Sequence, residues 1–161
     1  MAARVLDENI KRGKVVLQKN DAGEIIETIT IVGHSHGGAY SAGMAAELIR
    51  LGYKVDVVYY VAPHQPTDIE HPSGPIGVQY SHPNDRISST PPKYLPVGKT
   101  TFGPINGITE FISWQNPDWN FDIYGPGNER GGHHVGLNYE IFSIPIGDIV
   151  MLGKSRLILH L

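Results

Sequence analysis

The chain has 161 residues, of which 40% are hydrophobic and 18% are charged, and its formal net charge is -3. This length fits a single domain (1–161) with a real core, and the lack of cysteine excludes disulfide frameworks, cysteine-based zinc sites and a thiol nucleophile. The slightly acidic balance argues against a dedicated nucleic-acid surface, which needs clustered lysine and arginine.

Neither a membrane span nor a signal peptide is predicted. No apolar run approaches the roughly 20 residues that cross a bilayer. Arg4, Asp7 and Glu8 interrupt the start of the chain, where a signal peptide needs an uninterrupted apolar stretch. We therefore expect a protein that is cytoplasmic or is delivered as part of a larger secreted protein.

The first elements in chain order are a helix and a short strand. Residues Ala2 to Ile10 carry apolar side chains three or four positions apart, which is typical of an amphipathic helix, and Gly13 is its expected stop. Lys14 to Leu17 is predicted as a short strand, and Asn20 to Gly23 as a turn.

A strand–helix–strand unit follows. Glu27 to Val32 is rich in β-branched residues and predicts a strand, whereas Gly37 to Leu51 has helical spacing and ends before a glycine. Val55 to Ala62 is an apolar run of strand length. This order predicts an α/β fold with a parallel sheet, and the nearly continuous apolar character of both strands predicts burial on both faces.

The rest of the chain predicts further strands separated by loops. His64 to Pro75 and Ser88 to Gly107 are predicted as loops, and the period of the tail from Ile146 to Leu161 does not decide between helix and strand. The predicted strands are Gly77 to Ser81, Ile108 to Trp114 and Asn120 to Tyr124.

The sharpest motif is Gly33-His-Ser-His-Gly37, a G-x-S-x-G pattern placed between the predicted strand and helix. A serine hydroxyl becomes a nucleophile only when it is exposed, near a base and aimed at an oxyanion site. A sharp strand-to-helix turn provides this, in a strained serine conformation that needs small residues two positions away on each side. The backbone N–H of His36 is then an expected oxyanion donor.

The run Ile29 to Gly38 (ITIVGHSHGG), with the helix after it, resembles the nucleophile elbow of lipase-like α/β-hydrolases. Its GHSHGG form is also similar to lipase-type domains at the C-terminal ends of bacterial rearrangement-hotspot (RHS) and other polymorphic toxins. The resemblance is strong from Thr28 to Pro63. It implies a serine hydrolase of carboxylic esters, with lipids as the expected substrates and no cofactor. The implied chain order is serine, then an acid, then histidine.

Besides Ser35, the residues that fit that order are Asp85, His133 and His134. Ser35 is the nucleophile, and Asp85 follows a predicted strand where the family keeps the acid that orients the base. His133 and His134 lie in a glycine-rich loop, and one of them is the base, with His133 favoured. Weaker acid candidates are Asp68, Glu70 and Asp122.

The remaining histidines receive no catalytic role: His34 and His36 are assigned to the pocket wall or the framework, and His64, His71, His82 and His160 to solvent or turns.

The pattern departs from the family before the elbow. Only 32 residues precede Gly33, where the family has several strands and a loop that supplies the second oxyanion donor. We therefore expect a partial, N-terminally shortened α/β-hydrolase-like sheet. Either the chain is the C-terminal part of a fuller fold with an upstream segment, or a partner chain or second copy covers the open sheet edge.

Two alternatives remain open at this stage. The shortened N-terminal region is compatible with a non-catalytic binding module that uses the uncovered sheet edge. The other alternative is a metal hydrolase, because His34, His36, His133 and His134 are the residue types of a zinc or two-metal site. In that case Gly33 and Gly37 have no role.

Overall fold

A computed structural model of the chain describes residues 2–81, 103–113 and 156–160. Its elements within these ranges, in chain order, are α1 (Ala2–Lys11), β1 (Thr28–His34), α2 (Gly37–Arg50), β2 (Val55–Val61), a 3-10 turn (Pro66–Asp68), β3 (Ile76–Ser81), β4 (Glu110–Ser113) and β5 (Arg156–His160).

The strands form one parallel sheet in the order β4-β3-β2-β1-β5. The predicted strand–helix–strand unit is confirmed as β1, α2 and β2, and α2 packs against both strands. Parallel strands place their carboxyl ends at one edge of the sheet, where α/β proteins usually bind ligands. This edge carries Ser35, which follows β1 directly.

The sheet centre is buried on both faces, as the apolar runs predict. Five consecutive residues of β1 are buried, and β2 is buried at every position except Asp56. One face packs under α1 and α2 in a cluster whose largest fully buried members are Tyr60, Ile29, Ile31, Leu48 and Ile105.

The short strand predicted at Lys14 to Leu17 is wrong. The backbone N–H groups of Lys14 and Val15 donate to the carbonyl oxygen of Asn9 instead, at distances of 2.9 and 3.2 Å. Gly13 turns the chain with φ of 69°, so these amides satisfy the open C-terminal end of α1. The predicted turn at Asn20 to Gly23 is confirmed by a hydrogen bond from the Gly23 N–H to the Asn20 carbonyl.

The edge of β1 opposite β2 is occupied by β5, a segment of the same chain. Thr28 to Val32 pair with Arg156 to His160 in parallel register. The open sheet edge expected from the sequence does not fall at the elbow strand, because this pairing makes β1 an interior strand and leaves β5 outermost on that side of the described sheet. The tail, whose period was undecided, contributes a strand here. Asn120 to Tyr124 lies outside the described residues.

A buried histidine locks the loop between β2 and β3. His71 lies between the Tyr60 hydroxyl, 2.8 Å from Nδ1, and the Pro75 carbonyl oxygen, 3.0 Å from Nε2. Because a carbonyl only accepts, Nε2 carries the ring hydrogen and Nδ1 accepts from Tyr60. Burial raises the pKa of Tyr60, which keeps that hydroxyl protonated. The sequence predicted that His71 lies in solvent or in a turn. Because the side chain is buried, the prediction of solvent exposure is wrong.

A buried glutamine joins β3 to the segment that leads to β4. Gln79 accepts a hydrogen bond from the Ile105 N–H at 2.8 Å. Its amide nitrogen donates to the Ser81 hydroxyl at 3.1 Å and to the Gly103 carbonyl at 3.3 Å. The Gln79 side chain therefore holds the backbone at Gly103 and Ile105 against β3.

Candidate active site

The candidate active site is the turn between β1 and α2. Ser35 has φ of 56°, so it lies in the left-handed region that non-glycine residues rarely adopt. The strained serine conformation predicted from the motif is present. Such strain persists only where the surrounding structure determines it, and it clusters at functional sites.

Two glycines make the turn tight enough for this conformation. A Cβ added at Gly33 would overlap the Ser41 hydroxyl and the Gly37 carbonyl oxygen, so only glycine fits. A Cβ at Gly38 would lie 3.0 Å from the Cβ of Pro63, which is closer than side chains normally pack. The predicted need for a small residue two positions before Ser35 is therefore confirmed at Gly33, and Gly38, three positions after Ser35, is confined by Pro63.

Backbone hydrogen bonds hold Ser35 in place. Its N–H donates to the Val61 carbonyl at 3.1 Å, which extends the pairing of β1 with β2 by one residue. Its carbonyl accepts from the N–H groups of Gly38, at 3.1 Å, and His64, at 3.0 Å. Backbone atoms on both sides of the turn thus help to fix Ser35.

The start of α2 provides a favourable environment for negative charge. His36 is the N-cap residue and makes no side-chain capping hydrogen bond. Among the described residues, no hydrogen bond uses its backbone N–H. The N-terminus of a helix carries partial positive charge and unused N–H groups, which stabilise anions. This is the property that the sequence prediction required of His36.

A second histidine contacts this turn. The rings of His36 and His64 are stacked, with centroids 4.2 Å apart and an angle of 18° between their planes. The sequence assigned His64 to solvent or a turn and therefore missed this contact. The one available signal was its position directly after Pro63, where β2 ends, since the carboxyl ends of neighbouring parallel strands lie close together.

The other predicted catalytic residues fall in a different part of the chain. Asp85, His133 and His134 lie outside the described residues, as does the weaker candidate Asp122. Asp68 and Glu70 are exposed, and within the described ranges no hydrogen bond joins either carboxylate to a histidine. The structure thus places Ser35 and His36 together and leaves the acid and the base as predictions.

The described residues contain no group of three or more histidine, aspartate or glutamate side chains placed to hold a metal ion. The metal-hydrolase alternative also uses His133 and His134, which lie outside the described residues. In the part of the chain that the structure describes, no helix is long and apolar enough to cross a membrane.

Comparison with known proteins found no matching family model, no matching curated protein and no matching solved structure. The residues at the carboxyl edge of the sheet are therefore the basis for the proposed function.

Proposed function

We propose that this protein is a serine hydrolase of the α/β-hydrolase type that cleaves carboxylic esters, with lipid esters as the expected substrates. The observation that carries the proposal is the left-handed conformation of Ser35 at a tight turn between a buried parallel strand and a helix. This turn places the half-buried Ser35 beside the N-terminus of a helix, and a serine at such a strand-to-helix turn is the arrangement that an acyl-transfer nucleophile needs.

The reaction would proceed in two steps. The Ser35 hydroxyl oxygen attacks the ester carbonyl while a histidine, His133 or His134, accepts the hydroxyl proton and passes it to the leaving alcohol. Asp85 holds that histidine in the required tautomer. Water then hydrolyses the acyl-serine with the same histidine as base. The His36 N–H stabilises the oxyanion in both steps.

The same proposal assigns the sheet to a shortened α/β-hydrolase fold. The parallel order of β1, β2 and β3 and the crossover through α2 are compatible with a shortened α/β-hydrolase sheet. The similarity of GHSHGG to lipase-type domains of polymorphic toxins leads us to propose a bacterial toxin-like enzyme.

The test is hydrolysis of p-nitrophenyl esters of graded acyl length. Ser35→Ala should lower kcat at least about 1,000-fold, since removal of an activated nucleophile abolishes covalent catalysis. Ser73→Ala is the matched control, because Ser73 is an exposed loop serine, and it should retain full activity. Wild-type turnover in Ser35→Ala would overturn the mechanism.

The acid and the base are tested by separate variants. Asp85→Asn should lower kcat at least about 100-fold by allowing the wrong imidazole tautomer. Of His133→Gln and His134→Gln, one should be as inactive as Ser35→Ala and the other should remain active. Full activity of Asp85→Asn would remove only the acid assignment, and full activity of both histidine variants would remove the base.

A further inference from the structure

Backbone strain in the described residues is concentrated beside the proposed nucleophile. The non-glycine residues with positive φ in this part of the chain are Ser35 at 56°, Ala62 at 44° and Gln65 at 50°. Ala62 and Gln65 enclose the dipeptide Pro63-His64, which follows the end of β2. The turn after β2 is therefore held in a costly conformation next to the turn after β1, and such strain requires a structural or functional cause.

This strained turn brings His64 onto the elbow through two contacts. Its N–H donates to the Ser35 carbonyl, and its ring stacks on the His36 ring. The turn is anchored on its other side, because the Ala62 N–H donates to the Tyr80 carbonyl of β3 at 2.8 Å. His64 therefore joins the second and third strands of the sheet to the peptide that follows the nucleophile.

The position of that peptide decides where an oxyanion donor points. The Ser35 carbonyl and the His36 N–H belong to one planar trans peptide group and point in opposite directions. The two donors to the Ser35 carbonyl, Gly38 and His64, consequently fix the direction of the His36 N–H. Hydrogen bonds to the carbonyl also polarise the peptide, which makes its N–H a stronger donor.

We propose that His64 is a positioning residue for the oxyanion donor, holding the Ser35–His36 peptide through its backbone N–H and its ring stack on His36. This inference depends on the proposed function, since it assigns a purpose to His64 within the same site. His64 acts through the peptide and needs no contact with the substrate. The stack on His36 is the ring contact that this role uses, so a flat ring should retain the role.

The kinetic test compares His64→Ala with His64→Phe. Without the ring stack, His64→Ala should lower kcat about tenfold or more with KM within about threefold, because a displaced donor weakens binding of the transition state. His64→Phe retains a flat ring and should stay within about threefold of wild type in both constants. A wild-type kcat in His64→Ala, a change confined to KM, or an equally large loss in His64→Phe would each overturn the inference.

A second measurement separates this inference from the proposed function. The backbone amide resonance of His36 in an NMR spectrum should shift or broaden in His64→Ala and match wild type in His64→Phe. The amides of β3 should be unchanged in both variants, which shows that the fold is intact. If wild type hydrolyses no ester, the proposed function fails, and the amide resonance still decides whether His64 fixes this peptide. An unchanged His36 amide in His64→Ala would overturn the positioning role.

Discussion

Gly33 is the residue on which the geometry of the elbow depends. It lies where the end of β1, the start of α2 and Ser41 meet, and a single added methyl group would overlap three of their atoms. Ser41 itself is fully buried and donates to the Gly37 carbonyl at 2.8 Å, so it has little room to move. Glycine is therefore required at position 33, because there is no space for a Cβ.

Gly33→Ala should abolish ester hydrolysis and destabilise the protein by about 1–3 kcal/mol, since overpacking forces the turn to open. The matched control is Gly43→Ala in α2, where an added Cβ meets no atom within 4 Å. This control should be neutral or more stable by about 0.5–1 kcal/mol, because alanine favours the helix. Urea unfolding and turnover measure both effects. An active, stable Gly33→Ala variant would contradict the packing account.

A second glycine prediction concerns the buried histidine. A Cβ at Gly77 would lie 2.8–2.9 Å from three atoms of the His71 ring, so the ring lies flat against β3 only because residue 77 is glycine. Gly77→Ala should cost about 1–3 kcal/mol by displacing that ring from Tyr60 and Pro75. Chemical denaturation measures the loss in free energy of unfolding, with Gly43→Ala again as the control. Equal stability of Gly77→Ala and Gly43→Ala would contradict the close contact between Gly77 and the His71 ring.

Single residues differ in how far the sequence predicts them. Ser35 was predictable because the G-x-S-x-G spacing encodes a steric requirement within five residues. His64 and His71 were not, because the partners of each, His36 and Tyr60, are distant in sequence, and loop positions have no periodicity that reveals burial.

At the scale of elements, a polar contact at Asp7 helps to attach α1 to the sheet unit beside its apolar face. The Tyr53 hydroxyl donates to Asp7 at 2.8 Å, and Lys11 donates to the same carboxylate at 2.7 Å. The hydrogen bond from Lys11, followed by that from Tyr53, holds the pKa of Asp7 below its ordinary value of 3.8. Burial and the contact with Asp7 raise the pKa of Tyr53 to about 12, so its hydroxyl remains a donor at neutral pH.

Tyr53→Phe should lower Tm by about 2–4 °C at neutral pH through loss of this hydrogen bond. Because the pKa of folded Asp7 is lowered, its stabilising contribution is present above the ordinary aspartate pKa and is lost as pH falls through the lowered value. The Tm difference between wild type and Tyr53→Phe should therefore narrow from about pH 7 to about pH 3. A difference that stays constant with pH would contradict the role of the ionised carboxylate.

The elements that the sequence predicted correctly are those with strong local patterns. β1, α2 and β2 follow from β-branched runs, helical spacing and the glycine and proline that end them. Lys14 to Leu17 failed because a short apolar run has no fixed structure of its own. Its amides instead complete the end of α1, a tertiary outcome that the local pattern does not contain.

At the scale of the whole molecule, the pairing of β5 with β1 decides which strand is interior. These segments are separated by most of the chain, and parallel pairing between them leaves no local signal in either segment. An open edge beside β1 was therefore a reasonable expectation from the sequence. The observed pairing satisfies the backbone of the elbow strand on both sides.

Deletion of residues 156–161 should convert β1 into an edge strand. The amides of β1 should then exchange with deuterium at least about tenfold faster, because local protection depends on the hydrogen bonds that the missing strand provides. The amides of β3, which pairs with β2 and β4, should change less. Unchanged exchange in β1 would contradict the position of β5 beside it.

The proposed function of the whole molecule depends on Ser35 being an activated nucleophile. The most direct measurement is the intact mass of the protein after reaction with a fluorophosphonate, with Ser35→Ala and Ser73→Ala treated in parallel. We expect one phosphonyl adduct on wild type and on Ser73→Ala, and none on Ser35→Ala. A folded wild-type protein that gains no adduct, or an equal adduct on Ser35→Ala, would contradict it.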